Sequence, residues 1–219
     1  NFLKKKTQII KISSGDLNHH DLLSCAAKTN LPLIISTGMA SIKEINEALI
    51  VVKKTNPKLI KDGKLMLLHC VALYPTEKDK INLRGISFLR KKYKLPIGFS
   101  DHTIGIKASL AAVCLGAKLI EKHFTYRIEG QEFHDHKISA DLTMMKNLVD
   151  EIRNLEEYLG DENKKISVEE RNNKKHMRRS FAAKKNLKKG SKLSEKDLIL
   201  LRPEWGFKPN EKHKLINKK

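Results

Sequence analysis

No run of the chain approaches the roughly 20 consecutive apolar residues that a membrane helix requires, and no secretory leader pattern opens it. The expectation is a soluble, cytoplasmic protein with no membrane partner. Cysteine is scarce: Cys25, Cys70 and Cys114 sit in apolar surroundings without C-x-x-C spacing. That predicts buried, reduced thiols and argues against a disulfide framework or a cysteine zinc site. Aromatic residues make up only 5% of the chain, so the lysine-rich stretches have little aromatic interleaving and form no recognisable nucleic-acid reader motif. An initiating methionine is missing as well. The chain opens at Asn1 on FLKKKTQIIKIS, which reads as a helix tail running into a buried strand, so an internal fragment of a longer protein is expected.

What the chain has in quantity is positive charge, a formal +19 over 219 residues. Residues 1–160 carry 25 basic and 17 acidic side chains, and residues 161–219 carry 19 and 8, so most of the excess lies in the last quarter. A basic patch of this kind can bind nucleic acid or an acidic surface. Its ordinary use is a lysine-rich solvated surface, and the same field favours any small anionic substrate. A hydrophobic content of 40% is enough for a substantial core.

Apolar strand-like runs recur at nearly even spacing: QIIKIS (8–13), LPLIIST (31–37), KLMLLHC (64–70), PIGFS (96–100) and AKLIEKHF (117–124). Helical patterns lie between them. SIKEINEALIVVKKTN opens with Ser41 and Glu44 at capping-box spacing and sets Ile45, Ala48, Leu49 and Val52 on one face. DLTMMKNLVDEIRNLEEYLG predicts a long amphipathic helix after the fifth run, between Asp141 and Gly160. Near-continuously apolar strands alternating with helices mean a parallel sheet covered by helices. A doubly wound sheet and an eight-fold barrel both fit that succession. The polar residues favour the barrel, because KISSGD, ISTGM, LLHC, FSDHT and EKHF each put a small or ionisable side chain where a strand hands over to its loop, the end at which barrel active sites are built. Five such units make a barrel lacking three. Residues 161–176 are polar without an apolar face and read as a linker. Residues 177–219 read as the start of a small mixed domain, with two strand-like runs around a KKG turn, Ser194 as a helix cap and a further apolar run ending at Arg202.

The most informative stretch is Pro96–Thr125. It is a strand, helix, strand unit whose strands end in Ser100, Asp101 and His102 and in His123. Neighbouring parallel strands lie about 4.8 Å apart, so side chains at their carboxyl ends converge on one small ligand. Two neutral imidazoles with open positions beside them suit a borderline divalent metal such as manganese. Of the other histidines, His69 lies within a strand and reads as a core or supporting residue, His134 and His136 flank Asp135 in a loop, and His19 and His20 open a helix at the surface.

The succession KISSGD, STGM, LLHC with YPT, GFSDHT, EKHFT, DH with a following Ser, and finally RRS, KKG and LRP resembles the sialic acid (N-acetylneuraminate) synthases, a group that includes legionaminate, pseudaminate and spore-coat polysaccharide relatives. The resemblance covers almost the whole chain, and its motifs are specific in combination. It implies an α/β fold holding the last five βα units of a TIM barrel (1–160), followed by a truncated antifreeze-like (SAF) domain (177–219). The implied reaction condenses phosphoenolpyruvate with the aldehyde of an N-acylmannosamine-type sugar, giving phosphate and a nine-carbon 2-keto acid with the help of Mn2+ or Mg2+. The implied assembly is a homodimer in which the small domain of one copy covers the site of the other.

Carried over by position, the resemblance makes His102 and His123 metal ligands. It makes Lys11, Ser14, Ser36 and Ser100 the holders of the phosphate and carboxylate of phosphoenolpyruvate, and an ammonium with several hydroxyls is a suitable donor set for that anion. Tyr74 and Asp135 fall at sugar-contacting positions, and Arg202 matches an arginine directed at the N-acyl group across the dimer. Asp16 stands where members have a glutamate one methylene longer, and Ala72 stands where they carry Asn or Ser, with loss of one polar contact. The family's first barrel units, with a glutamate implicated in acid-base chemistry, have no counterpart here, so the fragment alone is expected to be inactive. A related octulosonate or heptulosonate phosphate synthase and a non-catalytic basic nucleic-acid-binding protein remain as alternatives.

Overall fold

The computed structural model describes residues 6–130 and 133–216. The strands β1 (Ile10–Ile12), β2 (Leu33–Ser36), β3 (Leu65–Cys70), β4 (Ile97–Asp101) and β5 (Ile120–Lys122) form one sheet in the order of the sequence. Every neighbouring pair is parallel, and each strand lies inside one of the five apolar runs except that β4 extends one residue further, to Asp101. Parallel neighbours require crossovers, supplied here by α1 (His20–Lys28), α2 (Ile42–Thr55) with the single turn α3 (Lys58–Lys61), α4 (Arg84–Tyr93) and α5 (Lys107–Cys114). The expected capping box forms on α2: the Ser41 hydroxyl accepts from the Glu44 N–H, and the Glu44 carboxylate accepts from the Ser41 N–H at 2.8 Å. Ile45, Ala48 and Val52 of this helix are buried. Gly116 closes the segment after α5 at a φ of +92°, a left-handed conformation that costs a side chain but not glycine.

Because successive strand side chains point to opposite faces, the sheet has two chemistries. Ile12, Leu33, Ile35, Leu65, Leu67, Ile97 and Phe99 are at most 3% exposed and join Leu23, Val52 and Ile86 of the helices in one core. The alternate positions Lys11, Ser36, Cys70, Ser100 and Glu121 line a pocket on the other face. Lys11 on β1 and Glu121 on β5 form an ion pair of 3.0 Å. In a flat sheet the outer two of five strands would stand about 19 Å apart, at ~4.8 Å per step, out of reach of two side chains. The sheet is therefore curled, with its polar face inside.

The sheet also continues one position past β5. Phe124 and Ala140 form a parallel bridge, in which the Thr125 N–H donates to the Ala140 carbonyl at 2.9 Å and the Ala140 N–H to the His123 carbonyl at 2.8 Å. The five apolar runs did not predict it, since Ser139 and Ala140 form no apolar run. After the short α6 (His134–Ile138), the long helix α7 (Leu142–Leu159) follows this bridge and not β5 directly, with Asp141 accepting from the Met144 N–H at 2.8 Å as its cap.

Residues 1–160 form one compact unit and residues 161–219 a second. The expected linker at 161–176 contains most of a helix, α8 (Val168–Met177). It buries nothing, so no apolar periodicity announced it. Ser167 caps it by accepting from the Glu170 N–H, with acids in its first turn and bases in its last to match the helix dipole. Two antiparallel strands follow, β6 (Ser180–Ala183) and β7 (Leu198–Leu201). The strand expected immediately after the KKG turn does not form, while Ser194 is a cap as expected, here of a single 3-10 turn, Glu195–Asp197, before β7.

The thiols need a correction. Only Cys70 is buried, while Cys25 and Cys114 are exposed, and all three are free. The 3.6-residue helical period explains it: Leu23, Ala26 and Ala27 take the buried face of α1 and leave position 25 outside. Among the described residues no helix is long and apolar enough to cross a membrane.

Candidate active site

The site sits where the strands end. Seven of the expected residues, Lys11, Ser14, Ser36, Tyr74, Ser100, His102 and His123, line one pocket of about 380 Å³. Ser14, just beyond β1, donates to the Ser36 hydroxyl and accepts from the Gly38 N–H, both at 2.9 Å. A Cβ on Gly38 would come within 2.8 Å of the Ser14 oxygen, so the STGM turn needs glycine there to keep this hydroxyl in place.

Two further lining residues with ionisable side chains, Glu121 and Cys70, were not assigned to the site from the sequence. Glu121 pairs with Lys11 and accepts from the Ser100 hydroxyl at 2.7 Å. It thus engages two of the donors expected to meet an anion. A signal for it existed: Glu121 and His123, like Ser100 and His102, are two residues apart and so share a strand face. The Cys70 sulfur lies 3.9 Å from Nδ1 of His102. Burial works against its ionisation, but contacts with His102, Ser36 and Ser14 outweigh this and hold its pKa below the usual thiol value.

Tyr74, His102 and His123 form a ring cluster, with centroids 4.1 Å apart for Tyr74 and His102, 5.8 Å for Tyr74 and His123, and 5.4 Å for the two histidines. Nδ1 of His102 lies 2.8 Å from the Val71 carbonyl. A carbonyl only accepts, so Nδ1 carries the proton and the neutral ring keeps its lone pair on Nε2. Burial lowers the pKa of His102, yet its bonds to Cys70 and Val71 more than compensate and leave it raised. Burial lowers that of His123 and dominates over the nearby Asp135 carboxylate. The Tyr74 phenol is pushed up by burial and by the negative groups around it.

Asp135 and Asp16 lie outside the pocket wall. Asp135 is beside it, its Oδ2 3.6 Å from Nδ1 of His123. Asp16 turns to its own loop and accepts from the Ser13 hydroxyl at 2.7 Å. Arg202 belongs to the second unit, where it follows β7 and is exposed. His69 lies on the core side, its Nε2 2.9 Å from the Ile81 carbonyl and its ring stacked on Phe99. Nδ1 of His136 is 2.7 Å from the Thr125 hydroxyl, and the side chain of His134 is outside the described ones. His19 caps α1 by accepting from the Leu22 N–H.

Among the described residues no group of three His, Cys, Asp or Glu side chains stands together as a metal cage. The pocket does offer two neighbouring imidazoles that meet edge to face, one with its tautomer fixed by a carbonyl as metal-binding histidines commonly are. That donor set fits a divalent ion whose other positions are filled by water or substrate oxygens.

The sequence matches the NeuB family over residues 1–164. This chain belongs to the NeuB family. It is 42% identical to the N,N'-diacetyllegionaminic acid synthase of Legionella pneumophila over 92% of the chain and 56% of that protein. It is 36% identical to the pseudaminic acid synthase of Campylobacter jejuni over its full length and 62% of that protein. Among solved structures, the N-acetylneuraminic acid (sialic acid) synthetase of Leptospira borgpetersenii is similar with a TM-score of 0.69 at 38% identity, over 76% of this chain and 56% of the other. This NeuB-family chain therefore spans 56–62% of the length of these relatives, and its curled parallel sheet with outer helices is a half-barrel of their kind.

Proposed function

We propose that the chain supplies the substrate-anion and metal portion of a nonulosonate synthase. In this reading the methylene carbon of phosphoenolpyruvate bonds to the aldehyde carbon of an N-acylmannosamine-type sugar, water adds at the enol carbon, and phosphate leaves. The observation that carries the reading is the convergence in one pocket of an ammonium and three hydroxyls, Lys11, Ser14, Ser36 and Ser100, with the pair His102 and His123.

Lys11 and Ser100 bind the anion, exchanging some of their hold on Glu121 for it, and Ser14 and Ser36 add hydroxyl donors beside the Gly38 N–H. Such charge-assisted bonds are the strong kind. Tyr74 packs the sugar against the two rings, and Asp135 meets its hydroxyls from beside His123. A divalent ion, Mn2+ or Mg2+, held by His102 and His123 would act as a Lewis acid on the aldehyde oxygen. Residues 177–219 are read as the start of an antifreeze-like domain, with Arg202 serving the N-acyl group across a domain-swapped homodimer, and the protein as a soluble cytoplasmic one. The positive charge of the second unit then favours anionic small substrates over nucleic acid.

The test is phosphate release from phosphoenolpyruvate by the protein that carries this chain, with Mn2+ and either N-acetylmannosamine or a diacetylated analogue. Sugar-dependent release that disappears in His102→Ala is expected. Release that ignores the sugar, or none with any sugar of this class, overturns the reading.

A further inference from the structure

Asp101 and Lys122 stand on the strand face that otherwise buries Ile97 and Phe99 and packs the half-buried Ile120 against the core. Their side chains are 0% and 1% exposed, with Nζ 3.3 Å from Oδ2. A buried ion pair persists only when its other donors and acceptors are satisfied. Here Oδ1 of Asp101 accepts from the N–H of Thr103 at 2.8 Å and from its hydroxyl at 2.7 Å, and Oδ2 accepts from Ser109 of α5 at 2.6 Å. Nζ of Lys122 donates to the Thr103 carbonyl at 2.8 Å. Lys122 thus grips the residues on both sides of His102, and the residue after Lys122 is His123.

Stability alone is a poor reason for such a pair, since apolar side chains of similar volume commonly serve as well or better. What they would not supply is a directional tie between two adjacent strand ends. The backbone of His102 is held from the other side too, where its carbonyl accepts from the Thr76 N–H at 2.9 Å.

We infer that the buried Lys122–Asp101 pair is a clamp that positions His102 against His123, fixing the turn at 101–103 so that Nδ1–H meets Val71 and Nε2 is left to bind. Asp101, Lys122 and Ser109 are positioning residues that touch no substrate. The functional side of this inference rests on reading the two histidines as a metal pair.

The double variant Asp101→Asn with Lys122→Met removes both charges at once, so no buried charge is orphaned. Two readouts are taken, the long-range 1H–15N spectrum of the histidine rings and Mn2+ affinity by calorimetry. Loss of the fixed Nδ1–H pattern of His102 and an affinity drop of about 10–100-fold are expected, the range for partners behind metal ligands. Ile86→Val, a core change away from the turn, should leave both readouts in place. A folded double variant with the parent ring spectrum and an affinity within twofold overturns the clamp. Should the double variant not fold, Ser109→Ala decides: a perturbed His102 signal supports the clamp and a parent-like one overturns it. If the parent binds no Mn2+, the metal reading falls, and the ring spectrum alone judges the clamp.

Discussion

The two compact units differ in how deeply they hold their charges. In residues 1–160, Lys122 and Asp101 pair out of reach of solvent and Lys11 reaches Glu121 across the curl of the sheet. In residues 161–216, ion pairs such as Lys165 with Asp161 and Lys214 with Glu211 join near neighbours in sequence, with side chains 27–71% exposed. A local, solvated pair fixes little beyond its own turn. A fully buried pair ties together residues distant in sequence and, among the described residues, only the first unit has one, Lys122–Asp101, at the ends of strands that build the pocket. The second unit's long-range pairs, Lys185–Asp197 and Lys212–Glu195, each keep at least one side chain well exposed.

The largest way to break the comparison is to orphan the buried carboxylate. Lys122→Ala leaves Asp101 without its counter-ion, and loss of one partner of a buried pair costs about 3–5 kcal/mol. Urea unfolding monitored in the first unit should show that loss, and a change below about 1 kcal/mol would put the pair in the same class as the surface ones. Next in size is Lys11→Met. It removes an ammonium from the pocket, and with a charge-assisted bond contributing about 1.5–3 kcal/mol, phosphoenolpyruvate affinity should fall by about 10–100-fold by calorimetry. An unchanged affinity would mean that Lys11 serves Glu121 alone.

The same contrast explains what could be read from the sequence. The strands of the first unit were legible because each is an apolar run ending in a polar residue, and the pocket residues because Ser14, Ser36, Ser100, His102 and His123 lie at or just beyond those ends. Glu121 was hidden inside a run taken as core, although its two-residue spacing from His123 marks the inner face. Asp101 and Lys122 fall on the apolar face, where a charge contradicts the pattern, and only their meeting in three dimensions explains them. The bridge at Ala140 and helix α8 were missed for a common reason. Neither has an apolar period, one being too short and the other fully solvated.

A smaller effect separates pairs within the second unit. Donation from Lys185, then bonds from Ser194, lower the pKa of Asp197 to about 2. A carboxylate whose folded-state pKa is depressed stabilises the fold above its ordinary range, and that contribution is lost as the pH falls from about 4 towards 2. The carboxyl resonance of Asp197 should therefore titrate near 2, and Asp197→Asn should flatten the acid side of the second unit's stability profile. A midpoint near the ordinary aspartate value would show Lys185 and Ser194 to be idle contacts.

The smallest expected change is the most exacting test of the contrast. The Lys165 and Asp161 side chains are 71% and 54% exposed, 2.6 Å apart and four residues from one another. Water screens the attraction, and holding two side chains in one geometry costs rotamer freedom, so an exposed pair outside a helix contributes only marginally. Lys165→Ala should barely shift the unfolding free energy, and added salt should shrink even this difference. A loss comparable to that of the buried pair would mean that Lys165 and Asp161 anchor the turn before α8. The second unit would then share the ordering strategy of the first, and its charge could no longer be treated as surface alone.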